Sequence, residues 1–247
     1  MSSTHTTLSY KDVTGKEYEG DLYIPSDKSG AKLPTVVVFP AFRGITEFEK
    51  ERAKELAEKH GYIALAADLY GKGIRLTVRE EAFAVLRAII ADRVGTLKPR
   101  LEAVMTAIKT VPQVDHNKIS AIGYCFGGLC SLDVARYHLG IKAAVSFHGT
   151  LTPVPDIPLD SIINCAIQVH HGDADPHINK EQVDNFHVEM RTRNADFVFV
   201  SHAHAEHSFT EPEADSFNTP GVKYNEKAAK RSWRATVALL NEVYNGL

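Results

Sequence analysis

The run Ile119-Ser120-Ala121-Ile122-Gly123-Tyr124-Cys125-Phe126-Gly127-Gly128 constrains this chain more than any other. An apolar, β-favouring stretch passes without a linker into Gly-Tyr-Cys-Phe-Gly-Gly, and a helical pattern follows at once. Only a sharp strand-to-helix turn accommodates that order, and such a turn needs small residues close to its tip. Glycines at 123, 127 and 128 supply the room. The side chain at the tip, Cys125, is lifted to the start of a helix, whose N-terminus favours a thiolate over a thiol. A strand–turn–helix of this kind presents a nucleophile.

The rest of the chain supplies a scaffold for it. Thr7 to Pro25 alternates apolar and polar residues around Thr14-Gly15 and reads as a β-hairpin,. Continuous apolar runs at Thr35 to Phe39, Tyr62 to Leu65, Lys118 to Gly123, Ala143 to Phe147, Ala166 to His170 and Phe197 to Ser201 read as buried strands,. Between and after them, helical patterns cover Thr46 to His60, Val78 to Ala91, Lys98 to Thr110, Phe126 to His138, Lys180 to Thr192 and Asn225 to Tyr244. In the first of these, Phe48, Ala53, Leu56 and Ala57 form the expected inner stripe,. This alternation predicts an α/β fold with a doubly wound, mostly parallel sheet. With no interdomain linker or repeat, residues 1–247 are expected to form one domain.

Composition excludes several classes of function. Net charge is −3 and no segment concentrates Lys or Arg, so neither a nucleic acid nor a membrane surface is an expected partner,. No stretch reaches the roughly 18 apolar residues of a bilayer span,. The polar start of the chain lacks the apolar core of a signal peptide. Three irregularly spaced cysteines do not make a disulfide framework, which points to a reducing cytoplasm,.

A nucleophile needs a base, and the base an orienting group. Ala166 to His170 runs into His171-Gly172-Asp173-Ala174-Asp175-Pro176, which places Asp173 and Asp175 at the C-terminal edge of the sheet, where open α/β sheets bind ligands,. From chemistry alone either qualifies. The next strand ends in Ser201-His202-Ala203-His204-Ala205-Glu206-His207, which offers three histidines and also spells a metal-like His-x-His-x-Glu-His string,. No histidine follows His207 to complete a binuclear site, so the metal reading is the weaker one,.

Gly-x-Cys-x-Gly-Gly, then Gly-x-x-Asp, then Ala-x-His-x-Phe, in this order, resembles the dienelactone hydrolase (carboxymethylenebutenolidase) family of the α/β-hydrolase superfamily. The resemblance spans nearly the whole chain and includes Gly61-Tyr62-Ile63-Ala64-Leu65 and Asp68-Leu69-Tyr70. It implies a three-layer α/β-hydrolase sandwich and ester or lactone hydrolysis without a metal or organic cofactor. It also implies a small-molecule substrate and a monomer or homodimer. Mapped by motif, the triad falls on Cys125, Asp175 and His207, and the oxyanion donors are the N–H groups of Phe126 and Phe42. His202 and His204 are then structural or pocket-lining. The family's activating glutamate is replaced by Ala41, and its two carboxylate-binding arginines by Lys72 and Glu211. With Tyr124 and His148, these three are the candidate pocket residues, and the loops Gly71 to Arg79 and His148 to Pro158 are expected to shape the pocket. Competing expectations are a general carboxylesterase or thioesterase acting on small neutral esters, and a non-catalytic binding protein on a hydrolase scaffold.

Overall fold

A computed structural model of the chain describes residues 1–27, 30–74 and 76–246. Arg75, within the expected pocket loop Gly71 to Arg79, lies outside the described residues. The chain forms two compact units, Met1–Ala121 and Ile122–Leu247.

The first unit contains β1 (Ser3–Lys11), β2 (Glu17–Pro25), β3 (Leu33–Phe39), α1 (Glu47–His60), β4 (Ile63–Ala66), α2 (Arg79–Ala91), α3 (Lys98–Ile108) and most of β5 (Val114–Tyr124). The strand order is β1-β2-β4-β3-β5. The expected hairpin is present, in antiparallel register from Ser3↔Pro25 to Lys11↔Glu17. β4 pairs antiparallel with β2 and parallel with β3, so the sheet changes from antiparallel to parallel at β4. Thr46 caps α1 in a capping box with Glu49, and Gly61 closes the helix at φ 72°,. The inner stripe of α1 differs from expectation. Ala53, Leu56 and Ala57 are buried, but Glu49, at 1% exposure, takes the place expected of Phe48, which is half-buried. The Glu49 carboxylate accepts hydrogen bonds from the Ala41 and Thr46 N–H groups and from the Thr46 hydroxyl. Those bonds offset the cost of burying it.

The second unit holds the last residues of β5 with β6 (Ala143–Phe147), β7 (Ala166–Gly172) and β8 (Phe197–His202), in the order β5-β6-β7-β8. β6, β7 and β8 pair in parallel. The helices are α4 (Phe126–Arg136), α5 (Lys180–Thr192) and α6 (Glu226–Asn245). Every residue of α4 is buried. Its last residue, Arg136, bonds Glu189 of α5 at 2.7 Å and the Leu151 and Thr152 carbonyls. Arg193 bonds the same Glu189 and the Pro158 carbonyl. This buried charge network fixes the segment after β6, and removing one partner would leave an uncompensated buried charge. Among the described residues, no helix is long and apolar enough to cross a membrane.

Candidate active site

Cys125 stands between β5 and α4 at φ 52°, ψ −111°, a strained backbone for a residue with a Cβ,. Its neighbours explain why the turn closes. A Cβ on Gly123 would lie 2.0 Å from the Gly127 carbonyl oxygen, and one on Gly128 2.8 Å from Gly149 Cα. The Cys125 carbonyl accepts the N–H groups of Gly128 and Leu129, which starts α4 directly behind the thiol. The other thiols lack this setting. Cys130 is fully buried, and burial pushes the Cys165 thiol up to about 12.

His207 Nε2 lies 3.2 Å from Cys125 Sγ, and His207 Nδ1 lies 2.8 Å from Asp175 Oδ2. A carboxylate only accepts, so Nδ1 carries a proton and Nε2 faces the sulfur. The other Asp175 oxygen accepts the His177 N–H at 2.8 Å, which fixes the carboxylate in turn. Burial opposes charge on His207. The Cys125 sulfur, the hydrogen bonds to Asp175 and Cys125, and the Asp175 charge together outweigh it, so His207 holds its proton well above the ordinary histidine range,. Such a pair can exchange a proton between sulfur and nitrogen.

The remaining carboxylate and histidines go elsewhere. Asp173 is exposed and accepts from the Ser201 hydroxyl. His202 is buried 3.2 Å from His170, and His204 is exposed at φ 63°. The histidine string therefore diverges, and among the described residues no group of three or more His, Cys, Asp or Glu side chains could hold a metal ion.

Of the pocket candidates, His148 and Tyr124 are each 1% exposed, and Tyr124 stacks on Phe147 at 4.7 Å. His148 has both ring nitrogens engaged, with the Cys125 N–H and with Thr210. Glu211 is buried beyond His207. In the first unit, Ala41 N–H binds Glu49, while Phe42 stacks on Phe83 and accepts the Tyr70 hydroxyl at its carbonyl. Lys72 is exposed and paired with Glu19 at 2.6 Å. The sequence reading missed Thr210, His177 and Glu49. Only Glu49 carried a signal, the capping-box spacing from Thr46,.

The dienelactone hydrolase family model matches residues 19–244. An uncharacterised protein of Caenorhabditis elegans is 57% identical over 155 residues, which is 62% of this chain and 98% of that protein. A Bradyrhizobium protein, named a probable 2-oxo-3-(5-oxofuran-2-ylidene)propanoate lactonase, is 29% identical over 97% of this chain and 96% of its own length. Among solved structures, a dienelactone hydrolase-like promiscuous phosphotriesterase from metagenomic libraries superposes with a TM-score of 0.91. It is 33% identical, over 98% of this chain and 99% of its own. The fold is thus that of the α/β-hydrolases, and with a family match running from β2 to the end of α6 the chain belongs to the dienelactone hydrolase family, whose members hydrolyse esters and lactones.

Proposed function

We propose that the chain hydrolyses carboxylic esters and lactones by acyl transfer through Cys125, with His207 as acid and base and Asp175 as its orienting group. The observation that carries this reading is the unbroken contact line from Cys125 Sγ through the His207 ring to Asp175, at 3.2 and 2.8 Å,. The Cys125 thiolate attacks the substrate carbonyl, and the oxyanion takes a hydrogen bond from the N–H group of Phe126. The tetrahedral intermediate then expels an alkoxide, which takes its proton from His207 Nε2. A thioester remains on Cys125. His207 next draws a proton from water, the hydroxide attacks the thioester, and the acid leaves as the thiolate re-forms.

The preferred substrates are small neutral esters. With an acid at Glu211, just beyond His207, a substrate carboxylate finds repulsion where an arginine would help,. The 33% identical phosphotriesterase-like structure supports a side activity on neutral phosphotriesters, in which the same thiolate displaces an aryl oxide from phosphorus. The family match over 19–244 supports one hydrolase domain, and three cysteines outside any disulfide suit a cytoplasmic location,.

The test is a pre-steady-state burst with an activated aryl ester. Native enzyme should release one equivalent of phenol rapidly, and Cys125→Ala should lose the burst and about 10⁶ in turnover. Retention of most activity by a folded Cys125→Ala would overturn the reading. Dienelactone turnover far above that of a neutral aryl ester would overturn the substrate preference.

A further inference from the structure

We infer that His148 is a positioning residue, whose ring braces the backbone of Cys125 against Thr210 on the loop that carries His207, and so sets the distance from sulfur to base. The inference rests on the hydrolase reading of Cys125 and His207 given above. His148 follows β6 at φ 41° and is almost wholly buried. Its Nδ1 accepts the Cys125 N–H at 3.2 Å, a donor shared with the Phe147 carbonyl at 2.9 Å. An accepting ring nitrogen has no proton, so the proton of the neutral ring sits on Nε2. There it donates to the Thr210 hydroxyl at 2.7 Å.

Thr210 is buried and lies just beyond His207, Ser208 and Phe209. One rigid ring thus ties the elbow to the base's loop by its two opposite edges. The ring also meets His207 and Phe209 edge-on, each at 5.2 Å between centroids. The residues it joins have positive φ without being glycine: Cys125 at 52°, His148 itself at 41°, and Ser208, in the loop of the base, at 55°. Backbone of that kind persists only where the surroundings over-determine it. Burial, and then the neighbouring His207, keep His148 neutral, so Nδ1 remains an acceptor. Asp175, His177 and His148 are the titratable groups that, with Cys125, contact the His207 ring.

No other common side chain offers a rigid acceptor and donor on opposite edges, though glutamine reproduces both less firmly. The inference predicts a graded series in the full-length protein: His148→Phe, Thr210→Val and His148→Gln. In each, kcat and KM are measured with a neutral aryl ester, and iodoacetamide labelling at Cys125 is followed against pH by mass spectrometry. His148→Phe should lower kcat by about tenfold to a hundredfold with KM within about threefold, as expected for a misplaced reacting pair. The labelling midpoint should rise above that of the native protein. Thr210→Val should move both readouts the same way by less, and His148→Gln should recover part of the loss. Native kcat and a native midpoint in folded His148→Phe would overturn the brace. If that variant does not fold, the same result in Thr210→Val overturns it. A labelling midpoint unmoved by His207→Ala would instead overturn the underlying pairing of thiol and imidazole.

Discussion

His170 is a fully buried histidine of the second unit and His207 a part-buried one, each hydrogen-bonded through both ring nitrogens, and they titrate in opposite directions. His170 bonds His202 at 3.2 Å and Gln168 at 3.1 Å and stacks on Phe147. Burial, and then His202, push it down to about 3. His207 meets the same opposition from burial, yet holds its proton because the Cys125 sulfur and the Asp175 carboxylate stand at its two nitrogens. Burial alone makes a histidine a neutral packing element. A charged partner on each side makes it a group that can pass a proton.

The widest separation between the two should appear in turnover. His207→Ala should cost on the order of 10⁴ to 10⁶ in kcat, the range seen when a member of such a triad is lost. His170→Gln and His202→Gln should stay within a few-fold of the native enzyme. Asp175→Asn, which keeps the shape but allows the wrong tautomer, should cost about 10⁴. Asp173→Asn, whose exposed side chain accepts from Ser201, should leave kcat near native. Equal losses at His207 and His202, or at Asp175 and Asp173, would erase the contrast.

A smaller effect should appear in stability against pH. Below the unfolded value of about 6.5, the unfolded chain takes up a proton at residue 170 that the folded chain does not bind until about pH 3,. Stability therefore falls as pH is lowered, by about 2 kcal/mol between pH 7 and pH 5 for this one group. His207 acts in a separate window. Its raised value adds stability that is complete below about 6.5 and is lost as pH rises through the folded value,. Chemical denaturation at pH 5 and pH 7 should give a steeper loss for native protein than for His170→Gln. Identical slopes would mean that His170 is charged in the folded state.

Much of this arrangement was legible beforehand, because strand and helix periodicity and the elbow are local signals. β6 and α5 fall on their expected bounds. β5 begins earlier than expected because Asp115, His116 and Asn117 hide the start of the strand among polar residues. Cys125 was visible in the spacing of its glycines. Asp175 and Asp173 were equivalent by chemistry and separate only by resemblance or by geometry, since the choice depends on which oxygen meets His207 Nδ1. Glu49 turned inward was legible only as the capping-box spacing from Thr46, and Thr210 against His148 was not legible at all. The first also depends on Ala41, across a turn eight residues earlier, and the second on a histidine 62 residues earlier.

The smallest predicted effect concerns His204, which shares a histidine string with His202 and His207 but has neither a buried partner nor a charged one. It is exposed, and its side chain makes no hydrogen bond to the described residues. Its φ of 63° places it in the left-handed region, which costs a residue with a Cβ about 1–2 kcal/mol,. His204→Gly removes that strain but gives the unfolded chain more freedom, worth about 0.4–1 kcal/mol in the opposite sense. The net should be a gain of about 0.5 kcal/mol, or about 1–2 °C in Tm for a chain of this size. Turnover should not change. Calorimetry and aryl-ester kinetics on His204→Gly decide the point together: a drop in Tm would show that the imidazole makes a stabilising contact, and a drop in kcat would place His204 in the site with His207.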